Sequence, residues 1–260
     1  MRQPTPPVER MDSLVAYGIA RLETRLGPTD VTIAGGSDGP VILLLSGLVG
    51  GAWSWVDQLT AFGPGFRVLV PELVGATQRE TPPASLTTDD EAGWVSNVLD
   101  GVAAPSASLV GLWRGARIAI DFAVAAPARV DRIALLSPVD VLAPSRVLPA
   151  IPHPPWRRCV SALPPIAKRD LRRVSAPALV LIGERDGPRP PAANLARRWQ
   201  ALPNLIAFGV VPEAGRALHR DQPETVNALL ADFLLRGEDW QPEAERPSRR
   251  PVEVRRGRAF

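Results

Sequence analysis

The chain has 260 residues, of which 45% are hydrophobic and 22% charged, a composition typical of globular domains. Its net charge is +3, and the last twenty residues, with six Arg and three Glu, carry all of it. The rest of the chain is neutral, which argues against a basic face for nucleic acid. The single cysteine, Cys159, excludes an intrachain disulfide and argues against a cysteine-ligated zinc site.

The sequence also lacks the long apolar segments that membranes require. The longest apolar run, residues 41–56, is interrupted by Ser and Gly. The first residues have no apolar core of the signal-peptide kind. We therefore expect a cytoplasmic protein with no nucleic-acid or membrane partner and no cofactor or metal. Whether it forms an oligomer is left open.

The first half of the chain predicts strands alternating with helices. Residues 29–34 alternate as a half-buried strand does, and residues 41–45 are continuously apolar, which is typical of a strand buried on both faces. Residues 66–70 form a second apolar run. A capping box at residues 88–91 predicts a helix that ends near Val102.

The alternation continues through the second half. Further strands are predicted at residues 108–112, 132–136, 178–182 and 205–211. Helices are predicted at 114–125, at 192–201, and from a second capping pattern at Asp221 to about Arg236. Buried strands that alternate with helices predict an α/β fold with a mostly parallel sheet flanked by helices.

Four segments follow from this pattern. Residues 1–15 predict a flexible arm, and residues 16–138 with 176–236 form the α/β core. Residues 139–175 break the alternation where a short lid would be inserted. The Arg-rich residues 237–260 predict a disordered tail, and contact with an acidic partner is the alternative.

The most informative motif lies between the fourth predicted strand and the helix that follows it. Residues 108–116 have the shape of a nucleophile elbow, G-x-S-x-G, in which a serine occupies a tight strand-to-helix turn. Gly111 and Gly115 are present, but Trp113 stands where the serine would be. An indole has no nucleophilic oxygen or sulfur.

Five segments follow in a fixed order along the predicted strands and loops: residues 45–51, 70–75, 111–115, 181–186 and 211–219. Their order resembles the α/β-hydrolase fold family, in its small esterase and epoxide-hydrolase-like branch, over residues 28–236. The resemblance places the nucleophile at Trp113, the acid at Asp186 and the histidine at Arg216. It also implies an oxyanion hole built from the backbone amides of Leu48 and Arg114.

These departures predict that the site is not that of a serine hydrolase. Trp113 cannot form an acyl-enzyme, and arginine stays protonated, so Arg216 cannot act as a base. His219 is a candidate replacement base, but we expect it to face solvent. The other candidates complete no triad: Ser46, Ser54, Ser137, Asp140, His153 and Cys159.

The altered residues leave two interpretations of each contact. Asp186 and Arg216 should pair, either as a structural ion pair or with Arg216 also binding an anionic or carbonyl oxygen of a ligand. Trp113 is either a plug that fills the vacated space, or a functional residue: a stacking platform for a flat ligand or a cation–π partner for Arg216. We expect catalytic roles for these three residues. Substrate binding is expected from Leu48, Val49, Arg114, Val139 and Trp156.

Two functions follow. The first is a non-hydrolytic, cofactor-independent enzyme of the cyclase, isomerase or lyase type that acts on an apolar intermediate in bacterial natural-product biosynthesis, because such reactions depend mainly on shape and positioning. The second is a catalytically dead pseudo-hydrolase that binds a small molecule or a protein partner. Apolar residues in the predicted lid favour the first.

Overall fold

A nine-stranded sheet forms the centre of the computed structural model, which describes residues 17–47, 51–73, 87–138, 166–186, 192–236 and 253–256. The strands are β1 (Gly18–Thr24), β2 (Gly27–Ala34), β3 (Val41–Leu45), β4 (Arg67–Pro71), β5 (Ala107–Leu112), β6 (Val130–Leu136), β7 (Ala178–Gly183), β8 (Leu205–Val211) and β9 (Glu253–Arg256). Across the sheet they run in the spatial order β1-β2-β4-β3-β5-β6-β7-β8-β9.

Strands β3 to β8 pair in parallel, whereas β1, β2 and β9 add to the two edges in antiparallel orientation. Helices connect the parallel strands. They are α1 (Val56–Phe62), α2 (Thr88–Gly101), α3 (Arg114–Ala125), α4 (Lys168–Leu171), α5 (Ala192–Trp199), α6 (Leu218–Asp221) and α7 (Pro223–Arg236). The prediction of a mostly parallel sheet flanked by helices is confirmed.

Each parallel strand contributes to two hydrophobic cores because successive side chains point to opposite faces of the sheet. In β3, Leu43 and Leu45 pack in one core with Phe122 of α3. Ile42 and Leu44 pack in the other, which contains Phe233 of α7. The continuous apolar strands seen in the sequence are therefore explained by burial on both faces.

Several element boundaries differ from the sequence-based expectation. The N-cap of α2 is Thr87, whose hydroxyl accepts a hydrogen bond from the Asp90 backbone N–H at 3.1 Å, so the predicted capping box is shifted by one residue. Strand β1 and helix α1 were not predicted. In β1, no side chain is fully buried, and Ile19 is 72% exposed, so the strand lacks a strong apolar pattern.

The prediction of a disordered tail over residues 237–260 is wrong for residues 253–256. These residues form β9, which pairs with the outer edge of β8 from Val210 to Ala207. The backbone groups on that edge of β8 provide the hydrogen-bonding partners that charge composition could not reveal. The predicted arm and residues 139–165 of the predicted lid lie outside the described residues. No helix in the described ranges is long and apolar enough to cross a membrane.

Candidate active site

Trp113 lies at the turn between β5 and α3 in a backbone conformation that few residues adopt. Its φ is 51° and its ψ is −106°, and its backbone N–H donates to the Leu136 carbonyl at 2.9 Å. A non-glycine residue with positive φ costs about 1–3 kcal/mol. A Cβ at Gly111 or Gly115 would overlap neighbouring backbone, so both glycines are required for this tight turn.

The side chain of Trp113 is buried, with 7% of the residue exposed. The Arg216 guanidinium carbon lies 5.1 Å from the centre of its indole. This distance is within the range of a cation–π interaction, which is one of the alternatives that the sequence left open. One face of the indole is therefore covered by a permanent positive charge.

Asp186 follows β7, and its carboxylate is almost completely buried. Its side chain is 1% exposed, whereas that of Arg216 is 45% exposed. The Arg216 Nε–H donates to Asp186 Oδ1 at 3.2 Å. The structure thus brings Trp113, Asp186 and Arg216 together in one connected group. Their catalytic roles stay a prediction.

Hydrogen bonds join the two loops that carry the acid and the arginine. The Arg185 N–H donates to the Ala214 carbonyl at 2.8 Å. The Glu213 N–H donates to the Glu184 carboxylate at 2.9 Å. Since the loops follow neighbouring parallel strands, these bonds fix both functional side chains at the carboxyl edge of the sheet.

His219 is buried, so the expectation that it faces solvent is wrong. The residue is 1% exposed, and its ring centroid lies 4.4 Å from that of Trp55. Gln58 Nε2 donates to the His219 carbonyl at 3.0 Å, which holds the short helix α6 against α1. The indole N–H of Trp55 in turn donates to Ser46 Oγ at 2.9 Å. A buried serine and a buried histidine therefore both contact one tryptophan.

Arg114 contributes its backbone and its side chain to different parts of the structure. It is the first residue of α3, so its N–H has no partner within the helix. Its guanidinium is buried and forms an ion pair with Glu91 of α2. The side chain is therefore engaged in the packing of α3 against α2, and the substrate-binding role of Arg114 stays a prediction.

A second buried ion pair lies on α3 and was not foreseen. Arg117 Nε lies 2.6 Å from Asp121 Oδ2. Burial raises the pKa of Asp121 to about 6. Burial likewise raises the pKa of Glu91, against the opposing effect of Arg114 and Arg117. The sequence feature that could have indicated these buried ion pairs is the presence of two arginines among the small and apolar residues of α3.

Glu72, which follows β4, holds the start of the turn that leads into α1. Its carboxylate accepts the Ala52 backbone N–H at 3.2 Å. Burial raises the pKa of Glu72. A Cβ at Gly51 would overlap this carboxylate, so a larger residue there would displace the Glu72 side chain.

The other predicted site residues divide into two groups. Ser137 is fully buried, and its Oγ accepts the Gly183 N–H at 3.4 Å. Ser54 is buried too, and its hydroxyl donates to the Gly51 carbonyl at 2.9 Å.

No cluster of metal-ligating side chains occurs within the described ranges. Outside those ranges lie Leu48, Val49, Val139, Asp140, His153, Trp156 and Cys159.

Comparison with known proteins gives a family match and several relatives. Residues 40–166 match the family described as alpha/beta hydrolase fold. Carboxylesterase YbfK of Bacillus subtilis is 24% identical, over 83% of this chain and 87% of its own. An uncharacterized carboxylesterase of the same organism, nap, is 24% identical, over 82% of this chain and 85% of its own.

These relatives contradict the expected function. Proteins that align with more than four fifths of the chain are carboxylesterases, which are hydrolases. A non-hydrolytic cyclase or isomerase of secondary metabolism, a dead pseudo-hydrolase and the exclusion of serine hydrolysis are therefore all contradicted. The expectation treated the side chain of Trp113 as decisive, although the attacking oxygen of a hydrolytic reaction can come from elsewhere.

Solved structures resemble this chain over most of its length. Carboxylesterase CesB (YbfK) from Bacillus subtilis superposes with a TM-score of 0.71 at 24% identity, covering 86% of this chain and 95% of that one. Naproxen esterase (carboxylesterase NP) from Bacillus subtilis superposes with a TM-score of 0.71 at 21% identity. This superposition covers 90% of this chain and 100% of the esterase chain. With the sheet order, the strained turn at Trp113 and the family match, these superpositions show that this chain has the α/β-hydrolase fold.

Proposed function

We propose that this chain is a hydrolase of carboxylic esters whose reaction centre lies at the turn between β5 and α3. The observation that carries the proposal is the backbone of Trp113, which has the strained conformation of an elbow and is followed by the N-terminus of a helix. The two carboxylesterases of Bacillus subtilis that align with most of the chain support the same class of reaction.

Within this proposal, Trp113 and Arg216 occupy the positions of the serine and histidine of a catalytic triad, and Asp186 that of the acid. Three observations support the assignment: Trp113 has a φ of 51°, Asp186 follows β7, and Arg216 donates to Asp186 from the loop after β8. The acid therefore orients an arginine instead of a histidine.

The amide of Arg114 binds the carbonyl oxygen of the ester. This N–H lies in the first turn of α3, where the helix dipole favours negative charge. As the carbonyl carbon becomes tetrahedral, charge develops on its oxygen, and a fixed donor at that point stabilises the transition state. Trp113 forms an apolar surface beside this point.

The attacking oxygen comes from water or from the hydroxyl of Ser46. An added Cβ at Gly47 would lie 3.7 Å from the Trp113 side chain, which places the end of β3 beside the elbow. With water, the oxygen adds to the carbonyl carbon, the bond to the alcohol breaks, and a proton passes to the departing alkoxide. With Ser46, the hydroxyl oxygen adds to the carbonyl carbon, its proton passes to the departing alkoxide, and the alcohol leaves an acyl-serine behind. Water then adds to the acyl-serine, which releases the acid and restores the hydroxyl.

The test is turnover of p-nitrophenyl esters of increasing acyl length by the purified chain. We expect hydrolysis above the buffer rate, and a loss of about a hundredfold or more in kcat/KM for Asp186→Asn. The variant, purified identically, also controls for contaminating esterases. Absence of turnover with every ester would contradict the proposal.

Labelling with a fluorophosphonate, followed by intact-mass analysis, distinguishes the two sources of oxygen. If Ser46 attacks, the chain gains one adduct, and Ser46→Ala loses both the adduct and turnover. If water attacks, no adduct forms, and the release of p-nitrophenol shows no initial burst. Ser54→Ala is the matched control, because Ser54 is also buried and its hydroxyl is bonded to the Gly51 carbonyl.

A further inference from the structure

The Arg216 side chain contacts both Asp186 and Trp113, yet it remains partly exposed to solvent. Its Nε–H donates to Asp186 Oδ1 at 3.2 Å, and its guanidinium lies over the Trp113 indole with 5.1 Å between the guanidinium carbon and the ring centre. Yet 45% of the side chain is exposed. Asp186 and Trp113 therefore cover only part of this side chain.

A guanidinium has two edges that can hold a carboxylate, because its five N–H groups form a rigid planar fork. One edge contains Nε, and Asp186 occupies it. The other consists of the two Nη groups, for which no partner is found among the described residues. This second edge has the geometry of a bidentate carboxylate site.

The charge distribution favours an anion at this edge. Arg216 stays protonated at any relevant pH, and Asp186 neutralises it only from the Nε side. Since the Asp186 side chain is 1% exposed, it contributes no accessible negative surface at the open edge. The guanidinium would separate an anion bound at this edge from the Asp186 carboxylate, so the two negative charges would not be in contact.

Trp113 increases the selectivity of this edge. The Trp113 indole lies on one side of the guanidinium, with 5.1 Å between the guanidinium carbon and the ring centre, and limits the approach of water from that side. A ligand must then approach in the plane of the fork, where two parallel N–H groups match the two oxygens of a carboxylate. A neutral amide or ester offers only one acceptor oxygen in that position.

We propose that the Nη edge of Arg216 binds a carboxylate group of the substrate, so that the preferred ester is a monoester of a dicarboxylic acid. This inference rests on the proposed ester hydrolase function, because it assigns the substrate class of the same site. Arg216 is the specificity-determining residue, and Asp186 and Trp113 are the positioning residues that hold its plane.

The test separates binding from turnover. Calorimetric titration measures the dissociation constants of benzoate and of its neutral counterpart, benzamide. We expect the wild-type chain to bind benzoate about tenfold or more tightly than benzamide, as for a charge-assisted bidentate pair. Arg216→Gln should abolish this preference. Arg216→Lys should keep the charge but lose most of the preference, because an ammonium has no fork.

Arg236→Gln is the matched control. Arg236 is 50% exposed and pairs with Asp232 through Nε at 2.7 Å, which resembles the pair at the site, but it lies at the end of α7. This variant should keep the benzoate preference. Thermal unfolding checks that each variant is folded, and Arg216→Lys supplies the test if Arg216→Gln does not fold.

Kinetics complete the test with monomethyl glutarate and dimethyl glutarate. We expect a higher kcat/KM for the monoester, mainly through KM, and loss of this ratio in Arg216→Gln. Equal binding of benzoate and benzamide, or a preference that persists in Arg216→Gln, would overturn the inference. If benzoate binds through Arg216 but no ester is hydrolysed, the proposed function fails while the carboxylate site stands.

Discussion

Asp186 and Arg216 form an asymmetric pair, and this asymmetry decides what each side chain contributes. The carboxylate is 1% exposed and the guanidinium 45% exposed. Transfer of a carboxylate from water into the protein interior is unfavourable unless partners compensate for it. Arg216 therefore stabilises the fold through Asp186, while its own exposed edge stays accessible to a ligand.

Replacement of Arg216 by Ala should destabilise the fold, because it removes one partner of a buried carboxylate. We expect the free energy of unfolding to fall by about 1–3 kcal/mol. We expect a loss near the lower end of this range, because Asp186 has a further interaction that remains after Arg216 is removed. Urea unfolding measures the change. Arg236→Ala, at an exposed pair, should change it by less than about 0.5 kcal/mol, and equal losses in the two variants would contradict this assignment.

Helix α3 combines the reaction centre at its N-terminus with buried charges along its length. Arg114 pairs with Glu91 of α2, and Arg117 pairs with Asp121 one turn further along. Burial opposes ionisation of both carboxylates, so the pKa values of Glu91 and Asp121 are raised. We therefore expect these carboxylates to make the stability of the fold depend on pH.

Asp121 should make the stability of the fold depend on pH in a defined window. Its pKa is about 6 in the folded protein, against an ordinary 3.8. The folded chain then binds more protons than the unfolded chain between those values, so the free energy of unfolding falls as pH rises through this window.

Asp121→Asn removes this effect and serves as its test. We expect the stability of the wild type relative to Asp121→Asn to be greater at about pH 4.5 than at about pH 7, by on the order of 2 kcal/mol. Urea unfolding at the two pH values measures the difference. A difference that does not change with pH would show that Asp121 keeps its ordinary pKa.

The start of α2 can be tested by mutation, because either of two adjacent threonines could be its N-cap residue. The structure has Thr87 as the N-cap, whereas the sequence predicted Thr88. Thr87 accepts the Asp90 N–H, whereas Thr88 is already helical. Thr87→Ala should lower the free energy of unfolding by about 1 kcal/mol. Thr88→Ala should have a smaller effect, and the reverse order would support the boundary predicted from sequence.

Strands and helices with strong patterns could be predicted from the sequence, whereas contacts between distant segments could not. The bounds of β3, α3 and β8 match the prediction, because continuous apolar runs and flanking Gly or Pro define them locally. The proximity of Asp186 and Arg216 followed from the family resemblance. The burial of His219 could not be predicted, since it depends on Trp55, more than 160 residues earlier in the chain.

At the scale of the whole molecule, the parallel strand order places the ends of β5, β7 and β8 at one edge of the sheet. Trp113 follows the first, Asp186 the second and Arg216 the third. This arrangement explains how one site is assembled from three separate loops. The same order leaves β8 next to the edge, where β9 covers it.

Removal of β9 should destabilise the molecule, because the outer edge of β8 would lose its backbone partners. We compare a chain that ends at residue 236 with one that ends at residue 256. The shorter chain should unfold at a temperature lower by roughly 2–8 °C, equivalent to about 1–2 kcal/mol. Identical melting temperatures would mean that β9 adds no stability to the sheet.

The most direct test of the site is the double variant Trp113→Ser/Arg216→His, assayed with p-nitrophenyl acetate and a fluorophosphonate. If these two positions and Asp186 form the catalytic group, the double variant should be labelled at residue 113. It should also hydrolyse the ester about a hundredfold or more faster than the wild type, while either single change gives far less. A folded double variant that is neither labelled nor faster than the single variants would contradict the assignment of the site.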